Sequence, residues 1–533
     1  MLNTTYARRG LVVAPHHLAA QAGLAVLREG GDAIEAAVAA AAASAVVYPH
    51  MNGIGGDGYW LIHEPGKPPV AIEAAGVAGR HVSPDLYRNQ RLTEIPGRGP
   101  LACNTVAGAV SGWSTALAVS RGWGGRLPLR RLLEEAIQYA RDGVPVSTSQ
   151  AAQLAAEGKE LLALPGFGRV YLPGGRTPRA GALMVQPALA KVLERIAAAG
   201  PDDFYRGELG NVIAAELKAA GSPLVREDLT DHWARMVEPL SVRLGNGPKG
   251  ATVYNLPPPT QGLASLMMLG LFDRLEVNAA DGFAHIHLLV EVAKHAGRVR
   301  DNYVTDPFYM QVEAADFLLP EVLDEVAGAI NRTSAQPWSE GGGHGDTVWI
   351  GAIDAAGRTA SCMQSLYWGF GSGVVLERTG VIWHNRGTGF SLQPAAANHL
   401  ISGRKPYHTL NPALAVFDDG RVMAYGAMGG EGQPQTQAAV FSRYARFGQG
   451  LQQAVTAPRW FFGRRRGKGA ATLKLESRVA PELVEALRAA GHEVELVEPF
   501  SSLMGHAGAV VSTPAGILEG AWDPRSDGAA AAW

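Results

Sequence analysis

Apolar and polar positions alternate along the chain with two periods, and each period predicts one type of element. Apolar residues recur at helical spacing in six segments, namely 15–29, 33–47, 129–142, 188–199, 208–220 and 282–301. Runs rich in β-branched and aromatic residues predict nine strands, at 59–63, 251–255, 347–353, 359–366, 380–384, 413–417, 422–426, 493–497 and 508–512. Prolines 257–259 and the basic, glycine-containing stretch 463–470 predict surface loops. Helices dominate the first two-thirds and strands cluster after residue 347, which favours a single α/β unit.

A glycine-rich run ends at Thr347, the first residue of a predicted strand. A threonine hydroxyl is a weak nucleophile until a base takes its proton, and a free α-amine on the same residue can be that base. Such an amine titrates near pH ~7.7–8.0, so part of it is neutral at physiological pH. The pattern therefore suits a chain that cuts itself before Thr347. The alternative is an ordinary β-forming residue at a loop–strand junction.

The residues after Thr347 predict a β-hairpin. Two β-prone runs flank a short Asp/Gly turn. If Asp354 faces Arg358 across the turn, counting outward places Thr347 opposite Ser365, with Cβ atoms roughly 4.5–5.5 Å apart. A bulge at Gly357 would shift this register by one residue. The hairpin thus predicts a second hydroxyl beside the nucleophile, placed to orient it.

Composition and charge exclude several classes of protein. The 533 residues are 47% hydrophobic and carry a net charge of −2 without a basic stripe, which disfavours nucleic-acid binding. Two cysteines, Cys103 and Cys362, are too few for a disulfide framework and indicate a reducing compartment. Residues 1–10 lack the apolar segment of a secretory signal, so we expect a cytoplasmic protein. The apolar run 36–48 is too short to span a membrane and predicts a packed helix.

Other candidate motifs are weak. The glycine run 53–58 lacks the Gly-Lys-Ser/Thr ending of a phosphate loop and precedes a strand, so a tight turn near the active site is favoured over nucleotide binding. Three histidines on one predicted helix, His285, His287 and His295, do not share a face as metal ligands would. The sequence contains neither a Gly-x-Ser-x-Gly nor a His-Glu-x-x-His motif. We therefore predict no cofactor and no metal.

A glycine pair follows the predicted strand 422–426. Gly429 and Gly430 offer backbone N–H groups that no side chain blocks. Such donors, aimed at a developing oxyanion, contribute ~2.7–4 kcal/mol of transition-state stabilisation each. The alternative is an ordinary glycine turn after a strand.

Several of these motifs together resemble the γ-glutamyltransferase family of N-terminal-nucleophile hydrolases. The similar segments are 347–354, 370–375, 52–58, 428–430, 457–460 and 523–526, and the resemblance extends from about residue 10 to the C-terminus. It implies a four-layer αββα fold with two central, largely antiparallel sheets. It also implies cleavage between Asp346 and Thr347, giving a heavy fragment 1–346 and a light fragment 347–533 that remain together as a heterodimer, with dimers of heterodimers as the expected assembly. Gly429 and Gly430 correspond to the family's oxyanion-hole glycines.

The positions that hold a γ-glutamyl group in the family are different here. Ala75 stands where the family has the arginine that grips the α-carboxylate. The counterparts of the residues that hold the α-ammonium are Gly389, Tyr367 and Arg386. A cation at position 386 would repel an ammonium group and attract a carboxylate. True γ-glutamyl transfer is therefore disfavoured.

A pair of family serines that assists the carboxylate is replaced by His408 and Thr409. This combination resembles family members that hydrolyse oxamate, an amide whose carboxylate is attached directly to the scissile carbonyl. We therefore predict that Arg386, His408, Thr409 and Tyr367 line a contracted pocket for a small carboxylate-bearing amide, with oxamate as the substrate and oxalate and ammonia as products. Three alternatives stay open: a γ-glutamyl hydrolase or transferase, a cephalosporin-type acylase, and an uncleaved binding or scaffold relative.

Overall fold

The computed structural model describes residues 2–245, 250–338, 345–465 and 468–533, so most of the glycine-rich run before Thr347 lies outside the described residues. The strands are β1 (Thr5–Ala7), β2 (Gly10–Ala14), β3 (Asp57–His63), β4 (Val70–Ala74), β5 (Val144–Pro145), β6 (Leu183–Met184), β7 (Arg235–Val237), β8 (Leu240–Leu244), β9 (Ala251–Asn255), β10 (Asp346–Asp354), β11 (Thr359–Tyr367), β12 (Ala413–Phe417), β13 (Val422–Ala427), β14 (Trp460–Arg465), β15 (Lys468–Glu476), β16 (Val494–Val497), β17 (Ala507–Ser512), β18 (Leu518–Trp522) and β19 (Ala529–Ala532).

The α-helices are α1 (His17–Arg28), α2 (Ala33–Val47), α3 (Pro84–Arg88), α4 (Ala109–Gly122), α5 (Leu129–Leu132), α6 (Glu134–Asp142), α7 (Thr148–Leu161), α8 (Phe167–Tyr171), α9 (Pro187–Ala199), α10 (Glu208–Ala220), α11 (Arg226–Thr230), α12 (Gly262–Asp273), α13 (Phe283–Tyr303), α14 (Pro320–Ala329), α15 (Gln433–Phe441), α16 (Leu451–Thr456) and α17 (Pro481–Ala489). None of the helices formed by the described residues combines the length and apolar character that a bilayer crossing needs.

Two seven-stranded sheets form the centre of the molecule. One has the order β1-β18-β17-β13-β12-β9-β8 and the other β19-β2-β10-β11-β3-β4-β7. Neighbouring strands in both sheets run antiparallel. Each sheet combines strands from before and after Thr347, so the two segments of the chain cannot form separate cores.

The two faces of each sheet enter different cores, because successive residues of a strand point to opposite faces. In β10, Val348 packs beneath a helical layer that includes α1, α2 and α4, whereas Trp349 points toward the other sheet. In β13, Met423 packs beneath α12, α13 and α15, whereas Ala424 faces the core between the sheets. The layers are thus helix, sheet, sheet and helix, which is the αββα sandwich predicted from the sequence.

The Trp349 side chain, two residues after Thr347 in β10, packs between the two sheets. Its indole N–H donates to the Ser361 hydroxyl at 3.0 Å, and its ring lies where a Cβ on Gly426 or Gly508 would collide, at 2.1 and 2.5 Å. Glycine at these two positions of the opposite sheet therefore admits the indole. This packing brings the end of β13 and the start of β17 to the start of β10.

Most of the elements that local patterns predicted are present. The bounds of α2, α10 and β9 are as predicted. The predicted helix 129–142 is two helices, α5 and α6, that meet at Leu133. Cys103 and Cys362 are free and buried, as expected for small core residues.

Three predictions from local pattern are wrong. Residues 380–384 do not form a strand: Ile382 pairs with Val375 and Trp383 with Gly55 only as isolated bridges. Pro258 and Pro259 are buried instead of lying on the surface, and the Pro259 carbonyl accepts the His408 N–H at 2.8 Å. The stretch predicted as a loop at 463–470 contains the end of β14 and the start of β15. Partners distant in sequence, Gly55 and His408, decide the first two cases, whereas β14 and β15 pair with each other.

Candidate active site

Thr347 is the second residue of β10 and is almost fully buried, with 1% of its surface exposed. The predicted turn is present, because the Asp354 N–H donates to the Arg358 carbonyl at 3.1 Å. The register then runs through pairs such as Trp349 with Met363. An irregularity lies between Asp346 and Val348, at the end of the hairpin away from the turn. The Thr347 hydroxyl nevertheless meets the predicted neighbour, donating to Ser365 Oγ at 3.1 Å.

Ser365 connects the candidate nucleophile to the candidate scissile bond. Its hydroxyl donates to the carbonyl oxygen of Asp346 at 2.6 Å. Its oxygen also accepts the Tyr367 N–H at 2.8 Å, in addition to the Thr347 hydroxyl. A serine hydroxyl has one proton and two acceptor lone pairs, so its hydrogen-bonding capacity is filled. In this arrangement Ser365 polarises the carbonyl that Thr347 would attack.

The glycine run at 53–58 allows close contact with this hairpin. A Cβ on Gly56 would lie 2.1 Å from the Ser365 carbonyl oxygen, and one on Gly55 would lie 2.1 Å from the Ile382 carbonyl oxygen. The run therefore serves close approach of backbones, in agreement with the predicted tight turn. It places Asp57, the first residue of β3, directly opposite Ser365 in the sheet.

Asp57 is a buried carboxylate with partners on three sides. It accepts the Gly108 N–H at 3.1 Å and the His408 Nε2–H at 3.1 Å, and His384 Nδ1 lies 3.2 Å from it. Burial alone would raise the pKa of Asp57, but the two imidazole rings outweigh it and hold the pKa well below its ordinary range. Asp57 is therefore an anion at the sheet position opposite Ser365, the residue that accepts the Thr347 hydroxyl.

His384 faces two acceptors. Its Nε2 lies 3.0 Å from the Thr105 carbonyl oxygen, and its Nδ1 faces the Asp57 carboxylate. The Thr105 hydroxyl oxygen also lies 3.4 Å from His384 Nε2. The sequence analysis did not identify Asp57 and His384 as site residues. The one sequence signal was a carboxylate at the end of a glycine run, just before a strand.

His408 was predicted to bind substrate, but both of its ring nitrogens are engaged inside the protein. Nε2 donates to Asp57, and Nδ1 accepts the Leu410 N–H at 3.2 Å. Burial, the largest effect, lowers the pKa of His408 to about 4, so the ring is neutral at physiological pH. The neighbouring Thr409 is the residue of this pair that contacts Arg386.

Arg386 is 1% exposed and lies against the hairpin. Its guanidinium stacks on the Tyr367 ring at 3.5 Å, and its Nη1 donates to Thr409 Oγ1 at 3.2 Å. Its Nε and Nη2 have no hydrogen-bond partner among the described residues, and it forms no ion pair with a carboxylate there. Tyr367 pairs with Asp346 in the hairpin, so the cation stacks on the residue opposite the candidate scissile position.

Gly389 makes room for this guanidinium. A Cβ at position 389 would lie 2.6 Å from Arg386 Nη2. Arg386 and Gly389 begin and end one short 3₁₀ turn, so the two positions are locally coupled. The structure thus brings together Arg386, Tyr367 and Thr409 as predicted and sets His408 beside them.

The glycine pair lies immediately after β13. Gly429 has a φ of +133° and Gly430 a φ of +54°, conformations that favour glycine. Gln261 Nε2 donates to both the Gly430 and the Thr409 carbonyls at 2.7 Å, which fixes the pair relative to the Arg386 cluster. The preceding Met428 lines a small cavity together with Thr347. No hydrogen bond from the Gly429 or Gly430 N–H occurs among the described residues.

One group away from this site has the composition of a metal centre. His287, Glu291 and His492 bring possible ligand atoms within 4.8 Å of one another. Their atoms are already paired: the two rings share a hydrogen bond of 2.8 Å, and Lys294 donates to Glu291 at 2.6 Å. A lysine ammonium in the cluster competes with a metal cation, so we interpret it as a structural network.

Comparisons with known proteins agree with this geometry. The chain is 51% identical over 534 residues, covering 100% of both sequences, to the oxamate amidohydrolase proenzyme of Klebsiella pneumoniae subsp. pneumoniae. It is 36% identical over 98% of both sequences to the glutathione hydrolase-like YwrD proenzyme of Bacillus subtilis. The crystal structure of cephalosporin acylase from Bacillus halodurans superimposes with a TM-score of 0.90 at 32% identity, covering 100% of this chain and 97% of that one. Residues 19–533 match the family described as gamma-glutamyltranspeptidase. The chain belongs to the gamma-glutamyltranspeptidase family.

Proposed function

We propose that this protein is a self-processing N-terminal-nucleophile amidohydrolase that converts oxamate to oxalate and ammonia. The observation that carries the substrate class is Arg386, a buried cation stacked on Tyr367 of the hairpin that starts at the candidate nucleophile. Its Nε and Nη2 have no hydrogen-bond partner among the described residues. A buried charge is costly unless it is paired. A substrate carboxylate would supply the missing anion through charge-assisted hydrogen bonds.

Oxamate fits this site better than a γ-glutamyl group does. Its carboxylate is bonded directly to the scissile carbonyl, so the anion-binding residue must lie close to the nucleophile. Arg386 lies there, whereas Ala75 offers no charge at the position of the family's more distant arginine. The similarity to the Klebsiella relative named oxamate amidohydrolase supports the same substrate.

Maturation begins from the uncut chain. Thr347 Oγ attacks the Asp346 carbonyl carbon, while the Ser365 hydroxyl stabilises the charge that develops on the carbonyl oxygen. The C–N bond breaks to leave an ester, and water hydrolyses it to give fragments 1–346 and 347–533. The proenzyme names of the two curated relatives support this processing.

Turnover uses the same hydroxyl again. The freed Thr347 amine takes the hydroxyl proton, and the oxygen attacks the substrate amide carbon. The Gly429 and Gly430 N–H groups stabilise the oxyanion, and ammonia leaves with a proton returned by the amine. Water then hydrolyses the acyl-enzyme. Arg386 and Thr409 hold the substrate carboxylate, Tyr367 supports the guanidinium, and His408 positions Thr409.

The direct test is ammonia release from oxamate by purified protein that mass spectrometry shows to be cut before Thr347. We expect release from the wild type and none from Thr347→Ala, which should remain one uncut chain. Processed protein that hydrolyses a γ-glutamyl anilide or a cephalosporin side chain but not oxamate would reject the substrate. A wild-type chain that stays uncut would reject the mechanism and favour a binding relative.

Two further expectations accompany the proposal. The cytoplasmic location rests on the cysteine usage. The dimer of processed heterodimers rests on family membership, and light scattering on the mature protein tests it.

A further inference from the structure

His506 lies at the candidate active site on the sheet opposite Thr347. It directly precedes β17, and its carbonyl accepts the Met428 N–H at 2.8 Å. Next to it, the Cα of Gly505 is 3.4 Å from where a Cβ on Gly429 would stand. The histidine therefore neighbours the candidate oxyanion glycines.

The His506 side chain is buried, with 5% of its surface exposed, yet unsatisfied. Neither ring nitrogen has a hydrogen-bond partner among the described residues. Buried polar atoms are nearly always paired, with protein groups or with ordered water. Burial, the largest effect, also lowers the pKa of His506 to about 4, so one ring nitrogen keeps a free lone pair at neutral pH.

His506 and Thr347 line the same small cavity between the sheets. Its volume is about 10 Å³, which is room for one water molecule. Two other polar residues line it but are engaged elsewhere: the Asp523 carboxylate accepts the Ala507 N–H at 2.5 Å, and the Ser526 hydroxyl donates to the Asp523 carbonyl at 2.8 Å. The imidazole is thus the basic group of the lining that is free to hold a water against Thr347.

The uncut chain needs such a group. In turnover the Thr347 amine serves as base, but before cleavage that nitrogen is part of the peptide bond with Asp346. Ser365 accepts the Thr347 hydroxyl proton in a hydrogen bond, but a serine hydroxyl is too weak a base to keep it. We propose that His506, acting through one water molecule in this cavity, is the general base for self-cleavage. This inference rests on the proposed processing before Thr347.

The step balances with groups present in the chain. The Thr347 hydroxyl turns toward the water, and its proton passes through the water to His506 as Oγ bonds to the Asp346 carbonyl carbon. The Asp346–Thr347 C–N bond then breaks, and the departing nitrogen takes the proton back from His506. The result is an ester on Thr347 and a free amine, with His506 neutral again.

The test measures self-cleavage of newly synthesised full-length chain, without substrate. Cell-free synthesis followed by mass spectrometry gives the rate at which the 1–346 and 347–533 fragments appear. His506→Gln keeps a polar group that can hold water but cannot accept its proton. We expect it to cleave about 100-fold more slowly, in line with the usual contribution of a general base.

The pH profile separates a chemical role from a structural one. With His506 present, we expect a rate that is flat between pH 6 and 8, because the ring stays neutral. The charged groups that act on it are Asp523, Asp527, Arg459 and Arg525, and carboxyl and guanidinium groups ordinarily titrate outside that range. The neighbouring His50 is buried, which lowers its pKa well below the ordinary value, so it does not add a charge there. With Gln, hydroxide must generate the alkoxide, so the rate should rise about tenfold per pH unit.

The matched control is His63→Asn. His63 is also a buried histidine with an unpartnered ring nitrogen, but it lies at the other end of β3 from Asp57. It should cleave at the wild-type rate. A His506→Gln chain that folds and cleaves as fast as the wild type, or slowly with an unchanged pH profile, overturns the inference. A wild-type chain that never cleaves overturns the proposed processing instead.

Discussion

The Ser365 hydroxyl donates to the Asp346 carbonyl oxygen at 2.6 Å while its own oxygen accepts the Thr347 hydroxyl. One side chain therefore contacts both the proposed attacking oxygen and the carbonyl of the proposed scissile bond. The backbone N–H of Tyr367 holds the serine in place. This relationship assigns Ser365 a role before cleavage as well as after it.

Ser365→Ala removes the donor to the scissile carbonyl. Loss of one oxyanion donor typically costs ~10²–10³ in rate, so we expect self-cleavage to slow by about 100-fold. The accumulation of uncut chain, followed by mass spectrometry, measures this. Ser361→Ala is the control, because Ser361 is a buried serine on the same strand whose oxygen serves Trp349 instead. Equal rates in the Ser365 variant and the wild type would remove the polarising role.

Arg386→Met should separate stability from binding. Replacing an unpaired buried cation with an apolar side chain of similar length should leave the melting temperature unchanged or higher. Removing the carboxylate partner should raise KM for oxamate at least about 30-fold, since losing one member of a buried charge pair costs ~2–5 kcal/mol. Kinetics on the processed protein test the second effect. Oxalate should raise the melting temperature of the wild type but not of the variant.

Unchanged oxamate kinetics in Arg386→Met would show that the carboxylate is held elsewhere. Arg404→Met is a suitable comparison, because Arg404 is also buried but donates to the Ala397 and His399 carbonyls. Removing it leaves those carbonyls without a partner, so we expect lower stability with oxamate KM retained.

Gly389→Asp should place a carboxylate of the protein in the proposed binding site for the substrate carboxylate. A Cβ at this position lies 2.6 Å from Arg386 Nη2, so an aspartate carboxylate can pair with the guanidinium in place of substrate. We expect normal cleavage before Thr347 and loss of oxamate hydrolysis. Gly389→Ala adds the Cβ without the charge and should retain more activity. Full activity in the aspartate variant would contradict the proposed carboxylate site.

The buried histidines predict that acid destabilises the fold. Burial lowers the pKa of His232, His408 and His506 to about 4, whereas an unfolded histidine titrates near pH ~6.5. Between these values the unfolded chain binds more protons, so the free energy of unfolding falls as pH falls from ~6.5 to ~4. Each such histidine contributes at most about 1.4 kcal/mol per pH unit.

Denaturant unfolding at several pH values measures that slope. His232→Phe should reduce the slope by up to one proton, because His232 is buried with an unpartnered Nε2. A free energy of unfolding that rises between pH 6.5 and 4 would contradict the prediction.

The sequence by itself determined the hairpin that carries the candidate nucleophile. The Asp354–Arg358 turn is local, and strand alternation has a fixed period of two, so counting from the turn placed Thr347 beside Ser365. Helix α2 was equally predictable, because its bounds follow from a capping box at Asp32 and an alanine-rich run. Nearby residues dictate these features.

Tertiary structure decided the remainder of the site. Asp57 lies opposite Ser365 only because β3 pairs with β11, and His506 lines the same cavity as Thr347 only because the two sheets pack face to face. Sheet order and packing depend on contacts hundreds of residues apart, which local periodicity does not encode. The same reason explains why His408 is engaged inside the protein, since Asp57, a carboxylate distant in sequence, binds its Nε2. The sequence identified Thr347, Ser365 and Arg386 as candidates, and only the packed sheets determined which groups surround them.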